Sequence, residues 1–280
     1  MVIDCAGRSL VLDQPVVMGV LNVTPDSFSD GGRFIAADIA VERGIEMVAD
    51  GAAILDIGGE STRPGAELIS IQQELDRVLP VFEELVQAID VPISIDTRHP
   101  EVMLAATAAG AGMINDVNAL RAPTALAVAV ESGAAVCLMH MQATPQTMQD
   151  APCYADPVLE IVQFLRERIA ACEAAGLSCA KIVVDPGFGF GKTLSHNLQL
   201  LGHIDQFIEL GVPVLVGLSR KKMFGDILQK PIDQRLCGSL AGAVIAAERG
   251  ARIIRCHDVG ETVDVLKVWS AMAQQVSEIN

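Results

Sequence analysis

The 280 residues predict an α/β fold of one kind, a single (β/α)8 TIM barrel with a short N-terminal hairpin. Three patterns carry that expectation. Short apolar runs recur eight times, segments with helical periodicity lie between them, and glycine repeatedly stands just ahead of the next run.

The apolar runs are residues 16–21, 53–57, 93–95, 113–114, 135–139, 182–184, 214–216 and 253–254. They are short and rich in Ile and Val, as strands buried on both faces are. Between them, Ile71/Leu75/Val78/Leu79/Phe82, Val158/Ile161/Val162/Leu165/Ile169 and Leu240/Val244/Ile245 repeat at three and four residues, which puts each set on one helix face. Gly51, Gly110, Gly133, Gly176, Gly211 and Gly250 stand where a chain leaving a helix turns left-handed. Right-handed crossovers between eight such strands close a barrel; an open doubly wound sheet is the alternative the pattern leaves. Residues 1–14 alternate weakly around Gly7-Arg8 and read as a small hairpin. No linker or low-complexity stretch divides the chain, so 1–280 reads as one domain.

Hydrophobic residues make up 51% of the chain, ample for a core, yet no apolar run approaches the ~18 residues of a membrane span. The N-terminus carries an early acid and no signal pattern, which points to the cytoplasm. Seven cysteines, odd in number and scattered without a Cys-x-x-Cys pair, read as reduced thiols serving as small buried hydrophobes. A net charge of −15 argues against a nucleic-acid partner, because phosphate backbones need a basic face. An anionic ligand must be held by a local cluster of cations.

The densest chemistry lies in residues 181–193. Ile182, Val183 and Val184 end on the carboxylate of Asp185, and Pro186 with Gly187, Gly189 and Gly191 forces an irregular loop. Ser195 reads as the N-cap of a helix running through Leu198, Leu201, Ile204 and Ile208. The loop is no P-loop, since Pro186 stands where that motif needs glycine, and its glycine spacing misses the dinucleotide fingerprint.

All strands of a parallel barrel end at one mouth. Asn22, the run Gly58-Gly59-Glu60-Ser61-Thr62-Arg63-Pro64-Gly65, Asp96, Asn115 with Asp116, His140, Asp185, Ser219 with Lys221, and Arg255 with His257 therefore share it. Asp96, Asn115 and Asp185 suit a rigid ligand with several N–H donors, such as an amino-substituted heterocycle. Arg63, Lys221, Arg255 and His257 suit phosphate or carboxylate oxygens. Plainer roles stay open: Asp96 or Thr97 as a cap for a helix near Pro100, Asn115 as a turn residue, Lys221 and Lys222 as solvated surface. His140 reads as a hydrogen-bonded core residue, and His99, His196 and His203 as ordinary helix residues. Phe188 and Phe190 read as a hydrophobic wall for a bound ring. No zinc spacing or nucleophile elbow is present.

Taken in order, Asn22-Val23-Thr24-Pro25-Asp26-Ser27-Phe28-Ser29-Asp30-Gly31-Gly32, the Gly58 to Gly65 run, Ser94-Ile95-Asp96-Thr97, Ile114-Asn115-Asp116, Asp185 through Lys192, Ser219-Arg220-Lys221 and Arg255-Cys256-His257-Asp258 resemble the dihydropteroate synthase family from about residue 16 onward. The resemblance implies joining of 6-hydroxymethyl-7,8-dihydropterin pyrophosphate to p-aminobenzoate, with release of pyrophosphate, in folate biosynthesis. It implies Asp96, Asn115, Asp185 and Lys221 on the pterin, and Asn22 on the Mg²⁺ that meets the pyrophosphate. Arg63, Arg255 and His257 would grip the pyrophosphate. Thr62, Pro64, Phe190 and Ser219 would form the p-aminobenzoate subsite where sulfonamides compete, with Phe28 closing over it. A homodimer is also implied. Ala143 departs from the family, which often has glycine there, and register alone separates Lys221 from Lys222 as the pterin lysine. A pterin-dependent methyltransferase or a non-catalytic synthase-like protein would lack the pyrophosphate cations or the Asn22 loop.

Overall fold

A computed structural model describes residues 1–23, 33–60, 68–144 and 147–279, the side chains of 33–36 and 276–279 excepted. Its first elements are the antiparallel strands β1 (Val2–Cys5) and β2 (Arg8–Val11). The barrel strands follow: β3 (Val16–Asn22), β4 (Ile54–Gly58), β5 (Ile93–Asp96), β6 (Met113–Asp116), β7 (Ala135–Met139), β8 (Ile182–Asp185), β9 (Leu215–Gly217) and β10 (Ile253–Cys256). They lie parallel in the order β8-β7-β6-β5-β4-β3-β10-β9. A parallel bridge from Val184 to Val214 closes the ring, reinforced where the Val184 amide donates to Pro213 O at 3.0 Å. The eight expected runs and the closed sheet are thus both present.

The helices are α1 (Arg33–Ala49), α2 (Ile71–Ala88), α3 (Pro100–Ala108), α4 (Ala125–Ser132), α5 (Pro157–Ala174), α6 (Leu194–Gly202), α7 (Ile204–Ile208), α8 (Lys222–Leu228), α9 (Leu236–Glu248) and α10 (Val259–Ile279). Their inner faces and the outward side chains of the strands form the main core, with Leu55, Ile57, Phe82, Ile95, Val136 and Phe207 fully buried. The six glycines expected at helix ends all have positive φ, from 64° at Gly133 to 110° at Gly110. No helix among the described residues is long and apolar enough to cross a membrane.

The hairpin stoppers the end of the barrel opposite the mouth. Ile3, Cys5, Leu10 and Leu12 turn inward and pack on Met18, Ile54, Met113, Val183, Leu215 and Ile253 from the strand starts. Gly112 permits this seat: a Cβ there would lie 2.4 Å from Cys5 O. Arg8 ties the hairpin to the end of α2, donating to Val86, Ile89 and Val91 carbonyls at 2.8–2.9 Å.

Three local expectations are corrected. The helix after β8 is capped by Thr193, not Ser195, because Thr193 forms a reciprocal box with His196 (3.2 and 3.3 Å). That helix also breaks at His203, whose φ/ψ of −130°/36° separates α6 from α7. The cysteines are unpaired as expected, but Cys153 and Cys237 are exposed, so the buried-hydrophobe reading holds for Cys5, Cys137, Cys172 and Cys256.

Candidate active site

The site is built on strand ends. Asp96 ends β5, Asn115 lies one residue before the end of β6, and Asp185 ends β8; all three are buried. The register places Asp96 beside both Gly58 and Asn115. Arg255, from the middle of β10, reaches inside the barrel with Nε donating to Asp56 Oδ2 at 2.6 Å and Nη2 to Asp96 Oδ2 at 2.7 Å. Asn115 Nδ2 donates to that same Asp56 oxygen at 3.0 Å, which leaves Asn115 Oδ1 to accept from a ligand. One connected network therefore joins Asp96, Asn115 and Arg255, and Asp96 and Asn115 serve neither as a helix cap nor as a turn residue.

Asp56 was not expected from the sequence. It is wholly buried in β4, whose five residues are all buried, and an acid within such a run costs too much to persist unpaired. Arg255 and Asn115 satisfy Oδ2, while Asp56 Oδ1 and Asp96 Oδ1 have no protein partner. Two buried, unsatisfied carboxylate oxygens are the acceptors an N–H-rich heterocycle would meet.

The charges shift one another. Burial pushes Asp96 up to about 7, with Arg255 opposing and Asp56, Glu74 and Asp116 adding to the rise. Burial likewise raises Asp185, against the Gly187 amide that donates to its Oδ1 at 2.7 Å and the Lys221 charge. Burial disfavours charge on Arg255 too, but the Asp56 and Asp96 carboxylates outweigh it and the guanidinium stays protonated.

Around this floor stand the remaining candidates. Asn22 ends β3 opposite Gly58. Ser219 Oγ accepts from the His257 amide at 3.2 Å and bonds His257 Nδ1 at 3.0 Å, so these two residues form a unit. Lys221 Nζ sits 4.3 Å from the centre of the Phe190 ring. Lys222 instead is 83% exposed and paired with Asp226, so Lys221 is the lysine that belongs to the mouth. Phe190 is half-buried on a soft cluster of Val117, Met139, Met141 and Met148. Phe188 is corrected: it is 1% exposed and belongs to the core rather than to a ligand wall. Phe28, Thr62, Arg63 and Pro64 lie outside the described residues.

The glycine loop between β8 and α6 is shaped by its neighbours. Gly187 has φ +73°, and a Cβ there would fall 1.9 Å from His140 O, so no other residue fits. His140 is the core residue expected: burial, then the nearby Lys192 charge, pushes it down to about 2, and its Nδ1 meets Lys192 Nζ at 3.1 Å.

A second charged group lies behind Asp96. Arg98 clasps both oxygens of Glu60 at 2.9 and 3.0 Å, and His99 Nδ1 meets Glu74 Oε2 at 2.7 Å. Glu60, Glu74 and His99 offer three ligand atoms within 4.8 Å of one another, but Arg98 already occupies Glu60, and the group is a pair of salt bridges. His99 is thus a paired residue at the start of α3 rather than an ordinary helix position.

A closed (β/α)8 barrel whose mouth gathers buried carboxylates, an amide and cations is the architecture of a pterin-binding enzyme, and the family described as "Pterin binding enzyme" matches residues 18–257. The chain is 52% identical over 265 residues to the dihydropteroate synthase of Escherichia coli (strain K12), covering 95% of this chain and 94% of that one. The Xanthomonas albilineans dihydropteroate synthase solved with 4-aminobenzoic acid superposes with a TM-score of 0.92 at 52% identity, covering 97% and 98% of the two chains. The Yersinia pestis enzyme solved as a sulfonamide drug complex gives 0.93 at 49% identity, covering 98% and 100%. The chain belongs to the dihydropteroate synthases.

Proposed function

We propose that the network of Asp56, Asn115, Asp96 and Arg255 holds the dihydropterin ring while neighbouring groups draw off its pyrophosphate. As a dihydropteroate synthase, the chain is a transferase that condenses 6-hydroxymethyl-7,8-dihydropterin pyrophosphate with p-aminobenzoate to give 7,8-dihydropteroate. The observation that carries the residue assignment is the pair of unpartnered buried oxygens, Asp56 Oδ1 and Asp96 Oδ1, beside the Asn115 amide. They match a ring edge rich in N–H donors, with Asp185 and Lys221 completing the grip.

The bond that breaks joins a methylene carbon to a pyrophosphate oxygen, so negative charge grows on the leaving group. Arg255 and His257 would receive it, joined by Arg63 on the family resemblance, and losing one such donor typically costs about 10²–10³ in rate. The electron-rich pterin carries the positive charge left on the methylene, so the substitution is SN1-like and needs no protein nucleophile. The p-aminobenzoate amine then attacks the methylene and sheds a proton; the family resemblance assigns its subsite, where sulfonamides compete, to Thr62, Pro64, Phe190, Ser219 and Phe28. The half-buried Phe190 ring on its methionine bed supports that placement.

Mg²⁺ is the metal this donor set suits. Asn22 Oδ1 and Asp96 Oδ2 both lie against Gly58, 3.8 and 3.7 Å from where its Cβ would stand, so two hard oxygens come together at the strand ends. Hard oxygens with room for retained waters are what Mg²⁺ takes, and it would neutralise charge on the departing pyrophosphate. A homodimer and a cytoplasmic location complete the reading, supported by exposed Ile227, Leu228, Ile232 and Ile245 and by the unpaired cysteines.

Pyrophosphate release from the dihydropterin substrate, measured with and without p-aminobenzoate and Mg²⁺, tests the reading. Release is expected to require the metal and to yield dihydropteroate only with p-aminobenzoate. Undiminished release after chelation would remove Mg²⁺ from the account.

A further inference from the structure

Three consecutive carbonyls of the glycine loop each accept a side-chain hydrogen bond. Gln149 Nε2 donates to Gly189 O at 2.6 Å, Lys192 Nζ to Phe190 O at 2.9 Å, and Tyr154 Oη to Gly191 O at 2.9 Å. The Gly189 amide is fixed as well, donating to Asn197 Oδ1 at 2.8 Å. Alternating glycines would otherwise leave this stretch with more backbone freedom than any other sequence allows.

The donors have different origins. Gln149 and Tyr154 come from the segment between β7 and α5, which is itself pinned where Gln142 and Cys153 exchange two bonds at 2.9 and 3.1 Å. Lys192 is 3% exposed, and its amine meets three acceptors: His140 Nδ1 at 3.1 Å, His140 O at 3.3 Å and Phe190 O. An ammonium has three N–H groups to match them. Burial pulls Lys192 down to about 7, the Asp185 charge opposing and the Lys221 charge adding to the fall. A buried cation beside another cation is costly, and an apolar residue would fill that volume more cheaply. What the lysine supplies in return is a fixed position for Phe190, whose ring lies under Lys221.

We propose that Lys192, Gln149 and Tyr154 are positioning residues for the second substrate, bracing the main chain of 189–191 so that the Phe190 ring is set at a fixed height beside Lys221. The proposal rests on the reading of Phe190 as a p-aminobenzoate wall. A wall that shifts weakens capture of the aromatic amine far more than that of the pterin, whose grip is mainly on the strand-end residues Asp96, Asn115 and Asp185.

The test is steady-state kinetics with each substrate varied, together with calorimetric binding of the pterin, for Gln149→Ala, Tyr154→Phe, Lys192→Met and Phe190→Ala. Loss of one bracing bond is expected to raise KM for p-aminobenzoate about threefold to tenfold, with kcat and pterin affinity within about twofold of the parent. Lys192→Met is expected to raise it more than tenfold, roughly as Phe190→Ala does. Gln149 is exposed and Tyr154 half-buried, so their variants decide the matter even if Lys192→Met fails to fold. An unchanged KM in Gln149→Ala and Tyr154→Phe beside a raised one in Phe190→Ala overturns the brace alone. So does a uniform loss of kcat and of affinity for both substrates. A flat response in Phe190→Ala sinks the subsite reading, and the brace with it.

Discussion

The Asp56 carboxylate and the Arg255 guanidinium, 199 positions apart in the chain, meet at 2.6 Å inside the barrel. Asp56 has no accessible surface, and its Oδ2 also receives Asn115. Removing Asp56 leaves Arg255 with Asp96 as its remaining counter-charge: Asp56→Ala is expected to cost about 1–3 kcal/mol in urea unfolding. Asp56→Asn keeps the shape and should fold, yet lower turnover about 10²-fold by loosening Arg255. Turnover within twofold of the parent would show that Arg255 needs no such anchor.

Pterin affinity should titrate with Asp96. Its carboxyl is held near 7 because burial outweighs the pull of Arg255, so below that pH it is protonated and accepts N–H donors poorly. Affinity is expected to climb roughly tenfold per pH unit up to a plateau above about 7, and to be flat in Asp96→Asn. The stability effect runs the other way. A raised folded-state value gives stability that is fully present below the ordinary 3.8 and lost as pH rises through about 7. Asp96→Asn should therefore narrow the difference in thermal unfolding between pH 5 and pH 8.

The two adjacent lysines are expected to differ. Lys221→Met removes the cation over the Phe190 ring and the charge felt by Asp185, and is expected to weaken pterin binding about tenfold. Lys222→Ala removes a solvent-exposed pair with Asp226 and should change neither binding nor kcat by more than about twofold. Calorimetry on both variants separates them.

Ala143 has φ +62°, a left-handed conformation in which a side chain costs about 1–2 kcal/mol. Glycine relieves that strain and gives back about 0.5–1 kcal/mol in unfolded-state entropy. Ala143→Gly is expected to raise Tm by about 1–3 °C in calorimetry, with activity unchanged. A lower Tm would mean the strain is absent.

Much of this molecule is legible in its sequence, for a physical reason. Parallel strands covered on both sides must be continuously apolar, so the stretches ending at Asn22, Asp96 and Asp185 declare themselves, and the polar residue that breaks each run marks the mouth. Asp56 escapes because it lies inside an apolar run, two residues before the end of β4, where periodicity reads core. Phe188 and Phe190 stand two apart on one loop, and only the fold separates a core ring from an accessible one. The brace is illegible as well: its acceptors are main-chain carbonyls, which leave no trace in residue type, and its donors Gln149 and Tyr154 lie 40 and 37 positions away.

Because the β1–β2 hairpin seals the far end of the barrel with Ile3, Leu10 and Leu12, the reaction chamber is a cul-de-sac. Among the described residues the mouth is the open end of the barrel, so two substrates that come in separately and are joined there must go out by the same end as one larger molecule.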